Sequence, residues 1–73
     1  MSEPHASTTI EVRLNGVTRS LPGGTCIADL VEAGWGRGVA VARNGEVVPR
    51  GEWATTHLEP GDEIEIVRPI QGG

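Results

Sequence analysis

Asn-Gly occurs twice in this chain, at Asn15-Gly16 and Asn44-Gly45, and both times between short runs that read as strands. The dipeptide tolerates positive φ at both central positions of a two-residue turn, the turn whose twist suits a β-hairpin. Before the first turn, Ile10, Val12 and Leu14 alternate with Glu11 and Arg13, the period of a half-buried strand. Val17–Leu21 is the return strand, its register loosely specified because Arg19 falls between Val17 and Leu21 on one face. Before the second turn, Val39-Ala40-Val41-Ala42 suits a buried central strand. Glu46-Val47-Val48 follows that turn and is stopped by Pro49. Arg50–Thr56 is irregular, with a helical turn expected around Trp53. Pro60-Gly61 fits the centre of a type II turn. The last strand, Glu63–Arg68, turns Ile64 and Ile66 inward and Glu63 and Glu65 outward, and Pro69 ends it.

One helix is expected between the two hairpins. Thr25 stands at its N-cap, Asp29 favours its positive end, and Ile27, Leu30 and Val31 form an apolar stripe. Gly34, Gly36 and Gly38 end it after about two to three turns, so it needs a sheet to lie on. The order β β α β β β implies an α+β domain: a mixed sheet of four or five strands, one face covered by the helix, the last strand central beside the first. The expected core is Ile10, Val12, Leu14, Ile27, Leu30, Val31, Val41, Ile64 and Ile66. Residues 1–8 read as a frayed extension, 9–68 as the domain and 69–73 as a tail without structure signal.

A domain of 73 residues has a thin core and little room for a deep active site. Its net charge of −4 gives no basic field for nucleic acid and makes a basic partner surface the natural expectation. One cysteine excludes an internal disulfide, and no Cys/His cluster suggests a metal site. The N-terminal segment lacks the pattern of a signal peptide and no apolar run reaches membrane-spanning length, so a cytoplasmic location is expected. Cys26 lies near the expected helix start but has no base close in sequence, and reads as a small buried side chain. His57 reads as a loop residue, Trp35 and Trp53 as core, and Arg50 as an exposed loop arginine.

Asn44-Gly45-Glu46-Val47-Val48-Pro49-Arg50, Trp53, Gly61-Asp62-Glu63-Ile64-Glu65-Ile66-Val67 and the closing Gln71-Gly72-Gly73 together resemble the ThiS family of sulfur carriers, over residues 9–73. The resemblance implies a ubiquitin-like β-grasp fold and a protein cosubstrate rather than an enzyme. It implies that the Gly73 carboxylate is adenylylated and converted to a thiocarboxylate. An E1-like adenylyltransferase of the ThiF type would use ATP and Mg2+ for this, with no cofactor bound to the carrier itself. A cysteine desulfurase would ultimately supply sulfur, and a thiazole synthase of the ThiG type would receive it. Gly72, Gln71, Ile70, Arg68 and Val67 are the expected partner contacts beside Gly73. Pro69 departs from the pattern and is more typical of the small subunit of molybdopterin synthase, which makes a molybdenum-cofactor carrier the second reading. A ubiquitin-like modifier and a plain binding module are the further alternatives.

Overall fold

The computed structural model describes residues 8–68, and within them five strands form one sheet. They are β1 (Thr9–Leu14), β2 (Val17–Pro22), β3 (Ala40–Arg43), β4 (Glu46–Val47) and β5 (Glu63–Val67). Their order is β2-β1-β5-β3-β4. β5 runs parallel to β1 and antiparallel to β3, and both hairpins are antiparallel. The last strand is thus central and beside the first, and β3 is its other neighbour.

Both Asn-Gly turns take the positive φ expected of them, 51° and 83° at Asn15-Gly16 and 52° and 88° at Asn44-Gly45. The first turn fixes the register left loose by the sequence. Leu14 pairs Val17, Val12 pairs Arg19 and Ile10 pairs Leu21. Because β2 is an edge, Arg19 and Val17 on the core-side face still reach solvent. Gly61 also has positive φ, 85°, as its turn requires.

The expected helix is not an α-helix. Ile27–Leu30 and Ala33–Trp35 are single 3-10 turns, joined through the extended backbone of Val31 and Glu32. The backbone turns extended at Val31 (φ −104°, ψ 126°) and Glu32 (φ −89°, ψ 140°), and the Val31 N–H closes back on Ala28 O, so the first turn cannot propagate. The Ile27 N–H donates to Thr56 O and the Ala28 N–H to Trp53 O, which satisfies groups that any helix leaves free in its first turn and ties the segment to the 53–56 chain. Thr25 is not the cap: its hydroxyl donates backward to Pro22 O at 2.6 Å. Cys26 takes the cap position, and Asp29 accepts from the Cys26 N–H at 3.0 Å. A segment this short has too little helical stability of its own to extend past one turn.

The core still closes on the expected face. Ile10, Val12, Ile27, Val39, Val41, Trp53, Leu58 and Ile64 are buried, with Leu14, Leu30, Val31, Trp35 and Ile66 packed partly buried against them. Trp53 follows a third 3-10 turn, Arg50–Glu52, and satisfies its indole N–H on Val48 O at 2.8 Å. Trp53 and Leu58 let the 48–58 segment act with the two 3-10 turns as the cover of the sheet.

Asp62, only 6% exposed, ties the start of β5 to the rest. It accepts from the Glu59 N–H (2.8 Å), Asn44 Nδ2 (3.0 Å) and Arg43 Nε (2.8 Å). Burial works against its charge, but these donors outweigh burial and hold the carboxyl below its ordinary 3.8. A depressed folded-state pKa adds stability above the unfolded value, and that stability is lost as pH falls below it towards the folded value. The urea midpoint of the parent should therefore drop as pH falls from about 5 to about 2, and Asp62→Asn should show a shallower drop. At neutral pH that variant should be less stable by about 1–3 kcal/mol, having lost the charged acceptor of three part-buried hydrogen bonds. Parallel pH profiles for the two proteins would exclude this role.

Candidate functional site

Of the residues expected to carry function, Val67 and Arg68 stand at the end of β5. Val67 is the last strand residue and Arg68 follows it. Gly73, Gly72, Gln71 and Ile70 lie outside the described residues. Val67 is 61% exposed, on the face opposite Ile64 and Ile66. There it pairs Ala40, while Ala42 faces Val47, itself 75% exposed. Two alanines and two bare valines make a low apolar surface on the side of the sheet away from the core. Glu65, opposite Ala42, divides it.

β5 is pinned on both sides by the turn asparagines. On the β3 side, the Asn44 N–H donates to Glu63 O at 2.7 Å, and Asn44 Oδ1 accepts from the Glu63 N–H at 2.9 Å. On the β1 side, β1 has already turned away where Ile66 needs a partner. The Asn15 carboxamide fills the place of a peptide: Oδ1 accepts from the Ile66 N–H at 2.8 Å and Nδ2 donates to Ile66 O at 3.3 Å. The Asn-Gly turns thus hold the strand that leads to the tail, besides reversing the chain. Asn15→Gly keeps the backbone conformation and removes only the carboxamide. We expect it to cost about 1–2 kcal/mol and to free the Ile66 amide to exchange. The Glu65 and Val67 amides, which face β3, should keep their protection. Uniform loss of protection along β5 would refute this anchoring.

Arg68 does not hang free. Its guanidinium lies over the Trp35 ring, 4.3 Å from the centroid. Arg50 lies over Trp53 at 4.6 Å and donates from Nη2 to Arg37 O at 3.0 Å. Trp53 is core as expected, whereas Trp35 is half-buried and serves as the platform for Arg68. The sequence carries no signal of these stacks, since each joins segments that only the folded chain brings together.

Cys26 and His57 form a lone antiparallel bridge, flanked by Ile27 N–H to Thr56 O and Leu58 N–H to Thr25 O. The two side chains therefore face each other in a close, non-hydrogen-bonded pair. This contact was invisible in the sequence, where no base stood near Cys26. The Cys26 backbone N–H, followed by its thiol at 3.4 Å and by the charge of His57, holds the Asp29 carboxyl below its ordinary range. Among the described residues no group of His, Cys, Asp and Glu could hold a metal ion, and no helix is long and apolar enough to cross a membrane. The hollow between the two Asn-Gly turns is lined by Glu63 and Glu65, whose charge would repel the phosphates of a nucleotide.

Comparison with known proteins adds two findings. The family model described as ThiS family matches residues 12–73. The fold is similar to the crystal structure of a thiamine biosynthesis protein (ThiS) from Geobacter metallireducens, with a TM-score of 0.67 and 24% identity, covering 88% of this chain and all of that one. That likeness fits the ubiquitin-like β-grasp fold, here with 3-10 turns where one helix was expected. No curated protein matches.

Proposed function

The chain belongs to the ThiS family, and on that footing we propose that it is a sulfur carrier of thiamine biosynthesis, a cosubstrate whose working group is the Gly73 carboxylate. The observation that carries this reading is the extent of the family match, which takes in both the sheet and the closing Gly72-Gly73. A carboxylate is a poor electrophile. Its oxygen attacks the α-phosphorus of ATP, expelling pyrophosphate, and the acyl-adenylate gains a good leaving group. Sulfide then displaces AMP to leave the thiocarboxylate (a persulfide would first give an acyl disulfide, which a thiol reduces to it), and the thiocarboxylate donates sulfur to a thiazole synthase. The activating enzyme, of the E1-like ThiF type, supplies the ATP and Mg2+ site in the cytoplasm. The carrier supplies a terminus that fits a narrow channel, since Gly72 and Gly73 have no side chains.

The folded body contributes position. β5 is central and pinned by Asn15 and Asn44, so the chain leaves the sheet at Val67 and Arg68 from a fixed place. The bare apolar face around Val67 and Val47 is suited to a partner's docking surface. The test is the intact mass of the protein after incubation with ATP, Mg2+, the activating enzyme and a sulfur source. One oxygen should be replaced by sulfur, in the parent and in Cys26→Ser alike. Loss of loading in a well-folded Cys26→Ser would make the Cys26–His57 pair a relay and overturn the tail-only scheme.

A further inference from the structure

All six basic residues of this chain are arginine, and three of them gather where β5 ends. Arg68 stacks on Trp35, Arg50 stacks on Trp53 and bonds to Arg37 O, and Arg37 with Arg50 lines one open cleft. Trp35 and Trp53 are the chain's only aromatic residues, so each aromatic ring carries an arginine. Among the described residues, carboxylates engage Arg13 and Arg43, and none engages Arg37, Arg50 or Arg68. All three are exposed. Three exposed arginines that no described carboxylate pairs thus stand around the 35–37 loop of a protein of net charge −4.

We infer that this arginine cluster, Arg37, Arg50 and Arg68 around the Trp35–Arg37 loop, is a docking patch for a protein surface rich in carboxylates. The inference rests on the proposed carrier function, because it places that surface at the entrance of the site that takes the tail. The overall charge argues for a basic partner, but the surface that meets a partner is local, and around this loop it offers three exposed arginines with no described carboxylate on them. Stacking holds the guanidinium planes of Arg50 and Arg68 still; Arg50 spends Nη2 on Arg37 O, while the edge of Arg68, with no described hydrogen bond, matches a carboxylate in a two-bond fork, and Arg37 adds its charge beside them. An arginine already ordered in the free protein loses less freedom on binding than one that must be ordered then. Nucleic acid is the weaker fit, since three arginines within a net-acidic chain neutralise few phosphates.

Arg37→Glu is the informative variant, because no described hydrogen bond, ion pair or ring contact of its guanidinium is lost. Arg19→Glu, on the distant edge strand β2, changes net charge equally and serves as control. Labelled protein is titrated with the activating enzyme of the same organism, without ATP, at low and high salt. Arg37→Glu should weaken binding by on the order of tenfold at low salt, with the gap closing as salt is raised. Arg68→Gln should weaken it in the same sense. Arg19→Glu should remain within about twofold of the parent. Equal effects of Arg37→Glu and Arg19→Glu, in a parent that still acquires sulfur, overturn the patch and leave the carrier reading intact. A parent that acquires no sulfur overturns both. Capture of the parent, but not of Arg37→Glu, by a single-stranded oligonucleotide would reassign the patch to nucleic acid and overturn it too.

Discussion

Deleting Gly73 should abolish sulfur loading while leaving the circular dichroism spectrum and the melting temperature unchanged. The two halves of this expectation have separate causes. The strands and the buried core are built from residues 9–67. On the proposed carrier function, the chemistry depends on where the terminal carboxylate lies when the last residues are inside the activating enzyme. Removing one residue or adding one displaces that group by up to about 3.6 Å. A nucleophile must approach its target to within about 3–3.5 Å in line, so an error of one residue is enough to stop adenylation. Gly72→Val should block loading by another route, since a β-branched side chain both narrows the backbone's choices and adds bulk where none was present. Both proteins should still bind the activating enzyme through the folded body. Intact-mass measurement after incubation with ATP and sulfur donor reads the result. Parental loading in the truncated protein would replace the carrier reading by that of a plain binding module.

Much of the sheet was legible because its signals are local. Period-two alternation marked β1 and β5, and Asn15-Gly16, Asn44-Gly45 and Pro60-Gly61 marked turns whose positive φ few other residues accept. The 27–35 segment was misread for the opposite reason. Its capping residues and apolar spacing suit an α-helix and a 3-10 turn equally, while the break to extended backbone at Val31 and Glu32 carries no local signal. The family pattern that closes in Gly72-Gly73 is contiguous and could be read directly, while the Trp35–Arg68 stack, the Asn15 clamp on Ile66 and the Cys26–His57 pair exist only once the chain is folded. Side chains whose partners lie in another segment leave no periodic trace.

Ile27→Ala should be the most damaging single truncation in the cover of the sheet, costing about 2–5 kcal/mol. Ile27 is fully buried, and it sits at the start of a 3-10 turn that has no helical cooperativity to fall back on. Its backbone N–H is also the link to Thr56 O, so a collapse of the cavity there would disturb the Cys26–His57 bridge beside it. Had the segment been a regular helix, Leu30 and Val31 would share its burial, and Leu30→Ala would cost as much. In the observed geometry both are only partly buried, and Leu30→Ala should cost less than Ile27→Ala. A domain of this size holds roughly 5 kcal/mol in reserve, so Ile27→Ala should be partly unfolded at 37 °C, or about that, while Leu30→Ala remains folded. Urea unfolding of the two variants beside the parent measures the difference. A larger loss for Leu30→Ala would mean that the segment is helical in solution and that its apolar stripe, not the single plug at Ile27, holds the cover on the sheet.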